Sequence, residues 1–117
     1  MMNLAQLKSN RDVLNNIDWN MTHEDAVTLY LEWGNNWARS NYVIRSKDDF
    51  SNYFVINTWD NEPLIYLIRR NSDDAVELAR IEMPKDLKEK FLKSIGYNKG
   101  VYSIDGEVKS WLKKELS

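Results

Sequence analysis

The sequence predicts an α+β fold: a three-stranded antiparallel β-meander packed with about five helices, in the order α-α-β-β-β-α-α-α. Three observations predict it. Apolar residues recur at helical spacing before residue 40 and after residue 84. The stretch between them carries β-branched and aromatic residues in alternating runs. Asp60-Asn61-Glu62-Pro63 is a strong turn signal separating two of those runs. The 117 residues suit one globular domain spanning 1–117, long enough to bury a core without staples.

Each element follows from its residues. Asn3 to Asn16 predicts a first helix, with Leu4, Leu7, Leu14 and Ile17 forming its buried stripe. Thr22 is the expected N-cap of a second helix, with Asp25 three residues on in an approximate capping box. Ala26, Leu29, Tyr30, Trp33 and Trp37 continue that helix, which frays after Gly34. Tyr42 to Arg45, Tyr53 to Trp59 and Leu64 to Arg69 predict three strands. A four-residue turn would set Trp59 opposite Leu64, Asn57 opposite Tyr66 and Val55 opposite Ile68. One face is then aliphatic, and the other carries Tyr53, Asn57, Trp59, Tyr66 and Arg70. Ser72 is the expected cap of a third helix over Asp73 to Ile81. Pro84 opens a fourth helix, with Leu87, Phe91 and Ile95 inward and Gly96 as its stop. Tyr97 to Ser103 predicts a loop. Asp105 to Glu115 predicts a last helix burying Val108, Trp111, Leu112 and Leu116.

Composition narrows the function classes. The 43% hydrophobic and 29% charged fractions are those of an ordinary globular chain. No apolar run reaches the roughly 20 residues of a bilayer span, and no charged start precedes an apolar block, so no membrane partner and a cytoplasmic location are the expectation. With no cysteine and a single histidine, thiolate chemistry, zinc–thiolate sites and two-histidine metal sites within one chain are excluded. The net charge of −2 argues against duplex nucleic acid, whose binding rests on phosphate neutralisation. No cofactor, metal or catalytic residue is expected: the chain has no phosphate-cradling glycine loop and no nucleophile elbow.

Thr22 to Trp37 with its Trp-Gly-Asn-Asn-Trp, Tyr53 to Asp60, Ile68 to Ser72, Gly100-Val101-Tyr102 and Trp111 to Leu116 together resemble a family of small uncharacterised proteins from anaerobic bacteria. The resemblance spans nearly the whole chain. It implies a bacterial setting and no activity, cofactor or partner.

Four constellations carry binding chemistry. Trp33, Asn35, Asn36 and Trp37 pair apolar walls with amides; the plainer reading is core tryptophans at a fraying helix end. Tyr53, Asn57, Trp59, Tyr66 and Arg70 have the ingredients of a stacking platform for single-stranded nucleic acid, unless helices cover that face. Arg45, Arg69 and Arg70 suit a carboxylate or phosphate, unless Asp48, Asp49, Asp73 and Asp74 pair with them. His23 beside Glu24 and Asp25 reads as a polar first-turn residue rather than a metal ligand, because the spacing puts them on different faces. Lys85, Lys88, Lys90 and Lys93 read as a solvated face. The expectation is a non-catalytic protein-interaction or regulatory accessory module. Its alternatives are a small-ligand or anion-binding protein using Trp33, Asn35, Asn36 and Trp37 with Arg45 or Arg70, and a single-stranded nucleic-acid binder. Trp59, Tyr66 and Arg70 are residue types enriched at the energetic centres of interfaces.

Overall fold

The computed structural model describes residues 2–25, 27, 50–59, 63–71 and 75–117. Two short helices, α1 (Leu4–Lys8) and α2 (Arg11–Leu14), open the chain. They replace the single helix expected over Asn3 to Asn16, for local reasons. Asn3 and Gln6 form a reciprocal capping box for α1. Ser9 Oγ then hydrogen-bonds the Gln6 carbonyl at 3.1 Å, and Asn10 Oδ1 accepts from the Val13 N–H at 3.2 Å to start α2 afresh. Side chains that compete for backbone groups break a helix in this way. The next helix begins as expected: His23 to Asp25 are helical, and Thr22 Oγ1 accepts from the Asp25 N–H at 3.1 Å. Val27 is helical as well; the continuation over 28–37 and the strand expected at Tyr42 to Arg45 lie outside the described residues.

Among the described residues the sheet has four strands, β1 (Phe50–Asn57), β2 (Leu64–Asn71), β3 (Ala75–Glu82) and β4 (Val101–Ser103), in the order β3-β2-β1-β4. These four strands pair antiparallel with their neighbours. The architecture is therefore α+β, as expected, with one strand more than the meander of three. Two expectations are corrected. The helix expected over Asp73 to Ile81 is replaced from Ala75 onward by β3, Ala75–Glu82; Ala79, Ile81 and Met83 are buried while Arg80, Glu82 and Pro84 are exposed. That period of two matches a strand pairing with β2, and tertiary pairing overrides the helix-forming Leu-Ala-Arg run. A register shift between Leu67 and Ile68 places a bulge at Leu78. The loop expected over Tyr97 to Ser103 contains β4, which pairs with β1 from Val55 to Asn57.

The β1–β2 register is slipped from the expected one by two residues: Asn57 lies opposite Leu64, Val55 opposite Tyr66 and Tyr53 opposite Ile68. An even slip preserves which side chains share a face. One face presents Phe54, Ile56, Ile65, Leu67, Ala79 and Ile81 to Leu7 of α1, Val13 of α2 and a C-terminal helix, α4 (Gly106–Leu116), through Val108, Leu112 and Leu116. The other face buries Tyr53, Val55, Tyr66, Ile68 and Val101, with Met21 and Val27 packed against it. Trp19 closes one side of the first core, its ring 5.4 Å from Phe54 and beneath the Lys113 ammonium.

Asn52 joins the layers. It is fully buried on β1, where its Nδ2 donates to the Val13 carbonyl at 2.9 Å and its Oδ1 accepts from Arg69 Nε at 3.0 Å. Its backbone N–H donates to the Asn16 carbonyl and its carbonyl accepts from the Asp18 N–H, forming an isolated bridge beside Ile17. Met2 bridges Ala79 of β3 on the other side of the sheet.

Between β3 and β4 runs α3 (Lys85–Ser94), which begins after Pro84 as expected. Gly96 (φ +65°) ends it through a paired motif: the Gly96 N–H donates to the Lys93 carbonyl and the Tyr97 N–H to the Leu92 carbonyl. Tyr97 also takes a left-handed backbone, φ +58°, which is rare for a bulky residue. The helix carries no fully buried residue.

Candidate ligand cleft

A cleft of about 830 Å³ lies between α3, β4 and the start of α4, with His23 on its margin. Helical spacing places Leu87 and Phe91 of α3, with Ile95 at its C-cap, on the wall, each only half-buried. Opposite them stand Tyr102 of β4 and Val108 of α4. Tyr102 is the centre of an aromatic series. Phe91 meets it edge-on at 5.7 Å between centroids, and His23 lies tilted against it at 5.6 Å. The phenol is oriented by a 3.1 Å hydrogen bond from its hydroxyl to the Asn98 carbonyl. Gly100 lies beside the ring, where an added Cβ would make ordinary van der Waals contact with Tyr102 at 3.6 Å.

Charge gathers at the rim with both signs. Lys90 and Lys93 come from α3, Asp105 and Glu107 from the start of α4. Lys90 Nζ stands 3.6 Å from Glu107 Oε2, a solvent-exposed pair that links the two helices. Asp105 is the N-cap of α4, and its Oδ1 accepts from the Gly106 N–H at 2.7 Å. The amide that a bound anion would seek at this helix start is therefore already facing a carboxylate.

The residues singled out from the sequence fall elsewhere. Trp33, Asn35, Asn36, Trp37 and Arg45 lie outside the described residues. Asn57 is buried at the end of β1, where its Oδ1 accepts from the Trp59 N–H at 2.9 Å and so turns the chain out of the sheet. Trp59 is 58% exposed. Arg70 is buried toward the other end of β2, opposite Ser51. Six residues of strand separate it from Leu64, the partner of Asn57, about 20 Å at the usual rise. Arg70 therefore shares no site with Asn57 and Trp59. Tyr53 and Tyr66 are buried, and the Arg80 guanidinium lies 5.0 Å from the Tyr66 ring centre. Of the five residues expected on this sheet face, Tyr53, Asn57, Tyr66 and Arg70 are thus buried and Trp59 is exposed.

From the sequence, His23, Phe91, Lys90 and Lys93 carry structural or solvent roles, Asp105 only opens the last helix, Tyr102 falls in an expected loop, and nothing singles out Glu107. Their convergence depends on β4 crossing to the β1 edge, which brings Tyr102 beneath α3. The local signals for Gly100-Val101-Tyr102 do not distinguish a loop from a three-residue strand. Among the described residues no three of His, Asp and Glu form a group able to hold a metal ion, and no helix is long and apolar enough to cross a membrane.

Comparison with known protein families, with curated proteins and with solved structures returns no match. The cleft's own chemistry is therefore the basis for a functional reading.

Proposed function

We propose that this protein is a non-catalytic binding module that takes a small organic ligand in the cleft between α3, β4 and α4. The observation that carries this reading is the cleft itself. Its volume of about 830 Å³ falls in the range of pockets that hold drug-sized molecules, and its apolar walls converge from three elements with a few polar groups at the mouth. Phe91 and Tyr102 supply flat apolar surface, and Ser94, Ser103 and the rim charges supply orientation. The test is a titration of the ¹⁵N-labelled protein with a library of small aromatic and aliphatic compounds. Binders are expected to shift amides in residues 87–95 and 101–108. Shifts confined to other segments, or none with any compound, would refute the reading.

One observation favours a protein partner as a second reading. Trp59 and Tyr97 are both largely exposed, at 58% and 63%. They stand on neighbouring segments tied together by Thr58, whose Oγ1 accepts from the Gly100 N–H at 2.9 Å and lies 3.2 Å from the Asn98 carbonyl. Exposed aromatics held on a rigid support are typical interface anchors. A partner bound there would lose affinity with Trp59→Ala and Tyr97→Ala, and keep it with Phe91→Ala.

A further inference from the structure

Resting on the ligand-cleft reading, we infer that the cleft's ligand is a small zwitterion bearing an aromatic ring, the chemistry of a free aromatic amino acid. Its ring lies against Phe91 and Tyr102, its ammonium faces Asp105 and Glu107, and its carboxylate faces Lys90 and Lys93. Three independent features select this class. The first is the state of α3. An amphipathic helix ordinarily buries its apolar stripe, yet Leu87, Phe91 and Ile95 are only half-buried because one flank of that stripe faces the cleft. A ring inserted there removes apolar surface from water on both sides of the contact.

The second feature is the aromatic series. Phe91 and His23 each meet Tyr102 at an angle rather than in parallel, 85° and 40° between ring planes, and all three residues line the cleft. That arrangement accepts a further ring in tilted or edge-on contact, the geometry aromatic pairs prefer. A saturated chain would fill volume without using it.

The third is the rim. A phosphate or polycarboxylate would meet Asp105 and Glu107 at the α4 start, where the Asp105 carboxylate already engages the Gly106 N–H. A simple cation would meet Lys90 and Lys93. A ligand with adjacent opposite charges suits both halves. The Lys90–Glu107 pair is wide at 3.6 Å and exposed, so opening it costs little. A carboxylate then takes the lysine side, and an ammonium takes the acid side.

The test uses the full chain and three related probes: L-tryptophan, 3-indolepropionate, which lacks the ammonium, and tryptamine, which lacks the carboxylate. Affinities are read from ¹⁵N amide shifts in residues 87–95 and 101–108. L-tryptophan is expected to bind about tenfold tighter than either analogue, the scale of one charge-assisted hydrogen bond. Glu107→Gln is expected to cut that advantage over 3-indolepropionate by about tenfold on the same scale, and the exposure of Glu107 lets the variant fold. Equal binding of all three probes in the cleft, or tightest binding by 3-indolepropionate, would overturn the zwitterion assignment while leaving a ligand cleft in place. If none of the three shifts these amides but other library compounds do, the aromatic zwitterion is again overturned alone. Silence of the cleft toward every compound overturns both readings.

Discussion

Replacing Asn52 by alanine removes two hydrogen bonds from the fully buried centre of the sheet. One is neutral, from Nδ2 to the Val13 carbonyl, and bonds of that kind contribute about 1 kcal/mol. The other has a charged donor, Arg69 Nε, and bonds of that kind contribute about 1.5–3 kcal/mol. Alanine cannot satisfy either partner, and no apolar gain offsets the loss because the site is lined by polar backbone from Asn16 and Asp18. The expected destabilisation is about 3 kcal/mol, a large share of the roughly 5–15 kcal/mol of a typical domain. With a urea slope of about 1.5 kcal/mol/M for a chain of this size, the midpoint falls by about 2 M. Urea unfolding followed by circular dichroism reads this directly. Asn52→Asp separates the two bonds, since it keeps an acceptor for Arg69 but turns an acceptor toward the Val13 carbonyl. A midpoint change under about 0.3 M for Asn52→Ala, equivalent to under about 0.5 kcal/mol, would refute the view that Asn52 ties α2 to the sheet.

Leu112→Ala, at a fully buried position of α4, should cost about 3–4 kcal/mol by transfer and cavity terms, measured by the same unfolding curve. Gly96→Ala should cost about 1 kcal/mol, because φ +65° is unfavourable for alanine while its Cβ meets only the Asn98 side chain at 3.5 Å. Gly96→Asn should recover part of that loss in a thermal melt. Tyr97→Gly should raise stability, by up to about 1 kcal/mol, because it relieves a left-handed backbone at a ring that is mostly in water. A fall in melting temperature on that change would show that the ring packs.

The sheet core was legible in the sequence because period-two alternation survives an error in register. Phe54, Ile56, Ile65 and Leu67 share the buried aliphatic face under either pairing. The register itself was not legible. Asn57 turns toward Trp59 locally, and Thr58 leaves the ladder to bond Gly100, a partner 42 residues away in the chain. Strand β3 was misread because Ser72, Asp73 and Asp74 imitate a helix start. The alternation of Ala79, Ile81 and Met83 was the available counter-signal. Asn52 was overlooked too, although an asparagine inside a strand is disfavoured unless its amide is used. The cleft was illegible for a different reason. Leu87, Phe91 and Ile95 carry the same pattern whether they face a packed core or a ligand, and only the position of β4 decides between them.

The pairing of β4 with β1 bears on the order in which the chain is assembled during synthesis. A ribosome releases β1, β2 and β3 well before Val101 to Ser103 leave its tunnel, so the meander waits with one border unpaired. The aliphatic face then has only Leu7 of α1 and Val13 of α2 against it, since Val108, Leu112 and Leu116 follow β4 in the chain. Translation arrested before residue 101 therefore yields a product with β1 unpaired from Val55 to Asn57 and an apolar sheet face only partly covered, the combination that invites self-association.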